Sequence, residues 1–409
     1  SHFNSPLEIN VEDFEPGAII SGLFNVSTTE DWNDTITAIA NGGKNKNYII
    51  HVIGDDPIPV TGTTTPTFGD ITGIQVSLRG EGGILTLSGE GSIFRIKSDQ
   101  TVILRDITLK GHASNTASLI HVDGGVLKMN GGGISDNTVT GGSGGGVCVK
   151  NSGIFTMNGG VISGNNAING GGGGVYVENH GIFTMNGGEI STNTAKGNNG
   201  GGVGVGKNGT FNMMKKDGEI GEISTNIVDG NSGGGVGVYQ GTFYMEDGNI
   251  NDNKTIDGQG GGVVLYGGTF TMECGNIFNN QVTNPGGGQR GDGGGVYVMT
   301  TDGVSGYFAM KGGVIYGNKA ATSRYGGGVC LDNATFRISA GTIYGSENTV
   351  DVTLRNTSTN GGAALHFFST CTAQRGTFDG DTWKMSSGGS WTTAQSNTIK
   401  VENGLLVQQ

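Results

Sequence analysis

A glycine triplet followed by an apolar–x–apolar segment recurs seven times in this chain, and no other feature constrains its fold as much. The triplets end at Gly146, Gly174, Gly202, Gly235, Gly262, Gly295 and Gly328, in steps of 28, 28, 33, 27, 33 and 33 residues. Two further blocks keep the same rhythm. One runs from Phe155-Thr156-Met157 through Phe183-Thr184-Met185 to Phe336-Arg337-Ile338, and the other is Ile162-Ser163-Gly164-Asn165 with its echoes up to Ile315–Asn318. Three short apolar–x–apolar segments per period read as three short strands joined by turns. One such unit cannot bury its own apolar face, so it must stack on its neighbours. Alternation within each strand sends Val175, Val177, Phe183 and Met185 inward and leaves Tyr176 and Thr184 outside. The expected fold is all-β, a single-stranded right-handed parallel β-helix of about 11–12 coils of roughly 28 residues.

The longer repeats support this register, because their extra residues fall between blocks, at Lys215–Gly221, at Gln281–Gly294 and between Val298 and Phe308. Solenoids tolerate insertions there. Residues 1–47 read as a lead and capping helix, 48–117 as irregular coils, 118–346 as the regular repeat, and 347–409 as degenerate coils with a cap containing Trp383 and Trp391, all one structural domain. Thr29 to Gly42 has a helical pattern, with Trp32, Ile36, Ile39 and Ala40 on one face, Thr28 and Asp31 as a capping box, and Gly42 as the stop. Such a helix would cover the open apolar end of the first coil.

Glycine supplies 83 of the 409 residues, but without a collagen period and at fixed places between β-branched and aromatic residues, so it marks a repeated turn. A net charge of −12 argues against a nucleic-acid partner, which needs a basic patch. No apolar run approaches the roughly 18 residues of a membrane span. The opening Ser1-His2 reads as an artificial leader left where an export signal was removed, so a secreted or cell-surface location is expected. Cys148, Cys274, Cys330 and Cys371 have no metal spacing. Cys148 and Cys330 should lie six coils apart, roughly 29 Å, too far for a disulfide.

Two stretches carry a resemblance. Val102-Ile103-Leu104-Arg105-Asp106-Ile107-Thr108-Leu109 resembles the strand pattern of pectin-lyase-like β-helix proteins. The repeat GGGVYV…GIFTMNGGEIS at 172–191 resembles repetitive adhesin-like surface proteins of host-associated bacteria and archaea, over about residues 118–346. The first resemblance implies a groove along one face, with carboxylates and Lys or Arg projecting into it wherever there is catalysis.

Several columns could be taken for sites. The Asn column (Asn137, Asn165, Asn193, Asn226, Asn253, Asn280, Asn318) reads as a structural amide ladder and the Met column as core. The outward column of the first strand is His121, Cys148, Tyr176, Gly204, Gly237, Val264, Tyr297, Cys330, without a carboxylate. Just past it stand Asp123, Lys150 and Glu178 on successive coils, with His121 and His180 nearby. Asp123 and Glu178 would be about 9.6 Å apart, close to the spacing of an inverting acid pair, and Lys150 between them could serve as a lyase base. The alternative is an exposed charge ladder. Arg290-Gly291-Asp292 in the longest insertion could be an exposed receptor tripeptide. Outward Thr156, Thr184 and Thr271 are reminiscent of ice-binding arrays, but Lys128, Asn212, Tyr244 and Arg337 interrupt them.

The sequence therefore points first to a non-catalytic secreted or cell-surface adhesin-like module, a monomeric part of a larger protein. Tyr176, Tyr297 and the Arg290–Asp292 turn would contact polysaccharide or host-surface glycan. A polysaccharide lyase or glycoside hydrolase acting on an acidic polysaccharide through Asp123, Lys150, Glu178, His121 and His180 is the alternative, and ice binding a remote one. No cofactor is implied; Ca2+ would suit the acidic charge, but no specific motif supports it.

Overall fold

In the computed structural model the described residues are 13–16, 18–54, 56–283, 291–346, 352–360, 362–368, 371–379, 382–390, 399–402 and 405–408. They form a parallel β-solenoid of about eleven coils. Its strands line up in four sheets of 14, 13, 6 and 10 strands. Sheet 1 starts with Ile20–Val26, sheet 2 with Ile58–Val60, sheet 3 with Thr138–Val139, and sheet 4 begins at Phe94–Lys97. A regular coil passes through sheets 4, 1, 2 and 3 in turn, as Val147–Lys150, Ile154–Met157, Val161–Ser163 and Asn166–Ala167 do. The sequence pattern predicts three strands per coil. The fourth, in sheet 3, is only two or three residues long and has a single inward side chain, such as Val139 or Ala167, so it leaves no alternation to read.

The register is that of the repeat. Met129, Met157, Met185, Met213, Met245, Met272 and Met310 pair in series, all with no exposed surface. Beside them the rings from Phe155 to Phe336 stack at 4.6–5.1 Å between centroids. The glycine after each Met has two causes. Gly160 has φ +89°, a turn conformation, and a Cβ there would come within 2.6 Å of the Met129 methyl on the preceding coil.

The Asn column is a buried ladder. Asn165 Nδ2 donates to Ile134 O at 2.9 Å and to Asn193 Oδ1 at 3.1 Å, and its backbone N–H donates to the same Oδ1 at 3.0 Å. The ladder begins at Asn115 and ends at Asn356, one coil beyond the sequence reading at each end. Cys148 and Cys330 stand six strands apart in sheet 4, and all four cysteines are free.

The ends differ from the middle. A helix, Thr29–Ala40, has the expected capping box between Thr28 and Asp31, and it ends at a C-cap on Asn41, short of Gly42. Trp32, Thr35 and Ile39 are buried, and Trp32 meets Phe94 edge-on at 5.8 Å, where sheet 4 starts. Asp13 is pinned to the outer face of sheet 1 by Arg79 at 2.9 Å and Arg105 at 2.7 Å. Burial opposes its ionisation, but hydrogen bonds from Arg105 and Ser77 and both guanidinium charges outweigh it and hold the carboxyl below the usual range. At the other end Thr372–Asp379 still pairs parallel to Thr335–Ile338, and the pairings beyond it turn antiparallel. Thr372–Asp379 and Thr382–Ser390 form an antiparallel hairpin on sheet 1, and Ile399–Glu402 with Leu405–Gln408 forms another on sheet 2. Trp391 and residues 1–12 lie outside the described residues.

Candidate functional site

The outer face of sheet 4 carries the chemistry, and the turn leading into each glycine triplet decides how much of that face is open. That turn doubles back over the sheet. A Cβ on Gly144, Gly260, Gly293 or Gly326 would fall within 3.1 Å of the Cα or Cβ of Cys148, Val264, Tyr297 or Cys330. At these four coils the outward residue of the strand is therefore roofed. Val264, Tyr297 and Cys330 form a second small core, with Tyr266, Met299, Tyr325 and Phe368 packed against it.

Tyr297 is only 2% exposed, so it presents no open ring face, although it lines the larger cleft described below. Burial raises its hydroxyl pKa, and the hydroxyl donates to Asp332 Oδ2 at 3.2 Å. Tyr176 is half-buried, lying over the gap left by Gly204 and Gly206, and burial pushes its hydroxyl up to about 12. Cys148 is likewise pushed up to about 12 by burial. The exposed tripeptide is corrected. Asp292 is buried, accepts from the Tyr325 backbone N–H at 2.9 Å, and is raised by that burial. Gly291 packs against Ala321 and Arg324. Arg290 lies outside the described residues.

The charged candidates are partly brought together. Asp123 pairs in register with Lys150, and Glu178 follows in the same column, after the Val149–Val177 pair. Asp123 accepts from Asn151 Nδ2 at 2.7 Å. His121 is on the same face as Asp123, next to Cys148, with Nδ1 3.3 Å from Arg95 Nη1 and a buried Nε2 without a hydrogen bond. Burial first, then the charges of Arg95 and Lys150, lower its pKa to about 4, against the pull of Asp123. His180 stands apart, in an exposed turn at φ 65°. Among the described residues no group of three or more His, Cys, Asp or Glu is placed to hold a metal ion, and no helix is long and apolar enough to cross a membrane.

Following that same column down the sheet leads to the site. After Lys97, Asp123, Lys150 and Glu178 it continues as Gly206, Tyr239, Tyr266, Met299 and Asp332. Facing it across the sheet are the turn residues Asn198, Asn199, Asn231 and Gln259. Between the two rows lie a cleft of about 460 Å³ and a smaller one of about 250 Å³, which share Asn198, Asn199 and Tyr239. Tyr176 closes the smaller one. None of Asp123, Lys150, Glu178 and His121 lines either cleft.

The walls are held by their own hydrogen bonds. Tyr266 reaches across the sheet, its hydroxyl 2.6 Å from Ser232 Oγ and 2.9 Å from Gln259 Oε1, so its ring is fixed. Asn199 Oδ1 accepts from the Ser232 N–H at 3.3 Å. The insertion after Val298 makes a tight hairpin at Thr301–Val304, and from it Asp302 accepts the Tyr239 hydroxyl at 2.6 Å. That bond raises the Tyr239 pKa. The sequence expectation covers only the three charged coils of this column and so leaves out Tyr239, Tyr266 and the amide row; the later members of the same column, recurring at the coil period, are the signal that points to the two tyrosines. No protein-family profile, curated protein or solved structure matches the chain.

Proposed function

We propose that the chain is a non-catalytic, secreted or cell-surface adhesin-like module, a β-helix of the pectin-lyase-like kind, that binds glycan on the outer face of sheet 4. The observation that carries this reading is the pair of adjoining clefts in which tyrosines, two of them held by hydrogen bonds, face a row of side-chain amides. Rings tethered at both ends offer flat apolar platforms with polar tips at little entropic cost, and amides supply both donors and acceptors for sugar hydroxyls. Catalysis is disfavoured because the acid and base candidates stand outside these clefts, in a ladder where Asp123 and Lys150 are direct neighbours.

The test is a glycan-binding screen run beside an assay for unsaturated uronate release, using the parent, Tyr239→Ala and Lys150→Ala. The expected outcome is binding without turnover, lost in Tyr239→Ala and retained in Lys150→Ala. Turnover in the parent that disappears in Lys150→Ala would overturn the reading.

A further inference from the structure

We infer that the cleft takes an uncharged linear polysaccharide lying parallel to the solenoid axis, about one sugar ring to each coil. This rests on the glycan-binding reading above and adds the ligand's charge, direction and length.

The charge follows from the lining. Among the described residues neither cleft is lined by Lys, Arg or His, and the one ionisable carboxylate in the walls is Asp332. A second carboxylate, Asp302, sits behind Tyr239. An acidic sugar would bring its carboxylate or sulfate against these two without a cation to receive it, and like charges brought together at a binding surface oppose association. Every other polar group in the walls is a neutral amide or hydroxyl, the chemistry that pairs with sugar hydroxyls and acetamido groups.

Direction and length follow from the register. Tyr239, Tyr266 and Met299 occupy one column on three consecutive strands, so the floor presents one apolar surface per coil. The amide wall repeats in the same sense, with Asn199, Asn231 and Gln259 on the turns that lead into three consecutive glycine triplets. From the strand of Tyr176 to that of Asp332 there are five inter-strand steps. At about 4.8 Å each these make a track of about 24 Å, room for about five pyranose rings in file. A ligand crossing the sheet instead would meet a single coil's groups and then the roofing turns.

Asp302 is a positioning residue here. It does not line either cleft, but its bond to the Tyr239 hydroxyl, together with a 3.4 Å bond from Gln240 Nε2, ties the Thr301–Val304 hairpin to a strand two coils back and sets the ring's tilt.

Calorimetric titration of the full chain with cello-, manno- and chito-oligosaccharides of increasing length, and with tetragalacturonate as the acidic probe, tests this. Affinity for the preferred neutral series should climb with each added ring and level off at about the fifth, the limit set by the coil spacing. Tetragalacturonate should bind at least about tenfold more weakly than the neutral tetramer, and Tyr239→Ala should cost about tenfold or more. Asp302→Asn should weaken binding by less than Tyr239→Ala does. If Tyr239→Ala melts early, Asn231→Lys serves instead; by adding a cation to one wall it should raise the affinity for tetragalacturonate and not that for the neutral tetramer. Tetragalacturonate binding as tightly as the neutral tetramer would overturn the inference and leave the glycan-binding reading standing. Neutral binding that does not grow with length would overturn the axial placement. Failure of both neutral and acidic series to bind would overturn the inference and the reading together.

Discussion

The two halves of the sheet 4 outer face share one scaffold and differ in almost everything mounted on it. In the first half the column at the end of each strand is Lys97, Asp123, Lys150, Glu178; in the second it is Tyr239, Tyr266, Met299, Asp332, with the gap at Gly206 between them. Beneath both, the inward columns continue, with Val102 and Leu127 preceding the run from Phe155 to Phe336, Leu104 and Ile338 at the ends of the run from Met129 to Met310, and the Asn ladder extending from Asn115 to Asn356. A solenoid therefore separates what holds it together from what it displays. Interior positions are fixed by contact with the coils above and below, and the outer columns are free to change character from one coil to the next.

If the halves differ only on the outside, equal cuts to the inside should cost the same in either. Phe155→Ala and Phe270→Ala each delete a fully buried ring from one stack. Each should lower stability by about 3–5 kcal/mol in denaturant titrations. A near-zero cost in one half would show that its interior is not the continuous core described.

A smaller effect sharpens the contrast on the outside. His121 belongs to the charged half, and its pKa is lowered to about 4. The unfolded chain takes up that proton near pH 6.5, before the folded one does, so the imidazole's contribution is fully present above about pH 6.5 and is lost as pH falls toward about 4. The melting temperature of the parent should fall through that window more steeply than that of His121→Asn. Identical pH profiles for the two would mean that the folded ring takes up its proton at the same pH as the unfolded one, and that neither its burial nor the Arg95 contact is as described.

How much of this was legible in the sequence follows the same division. The inward columns were readable because a residue that must match its neighbours above and below repeats; Phe183, Met185 and Asn193 each recur at the coil period. Sheet 3 was not, because a two-residue strand such as Asn166–Ala167 has no alternation. The burial of Tyr297, which still lines the larger cleft, was not legible, because alternation gives a side chain's direction from the sheet and not what lies over it, and the roofing turn is set by backbone geometry before each triplet. Asp292 was misjudged for the same reason, since an insertion that folds back onto its neighbour buries residues that look exposed in sequence. The cleft was half legible. Its column was identified through Asp123, Lys150 and Glu178, but its function lies in coils where the residues are aromatic, and the tether from Asp302 to Tyr239 spans 63 residues of sequence that no local pattern connects.

The claim that binding belongs to the tyrosine half is tested most directly by hydrogen exchange on the intact chain, with and without a neutral oligosaccharide. Added protection is expected at the turns of Asn198–Asn199, Asn231–Ser232 and Gln259 and along Tyr239–Gln240 and Met299–Thr301, with none at His121–Asp123 or Cys148–Lys150. Protection confined to the strands of Asp123 and Lys150 would contradict the claim.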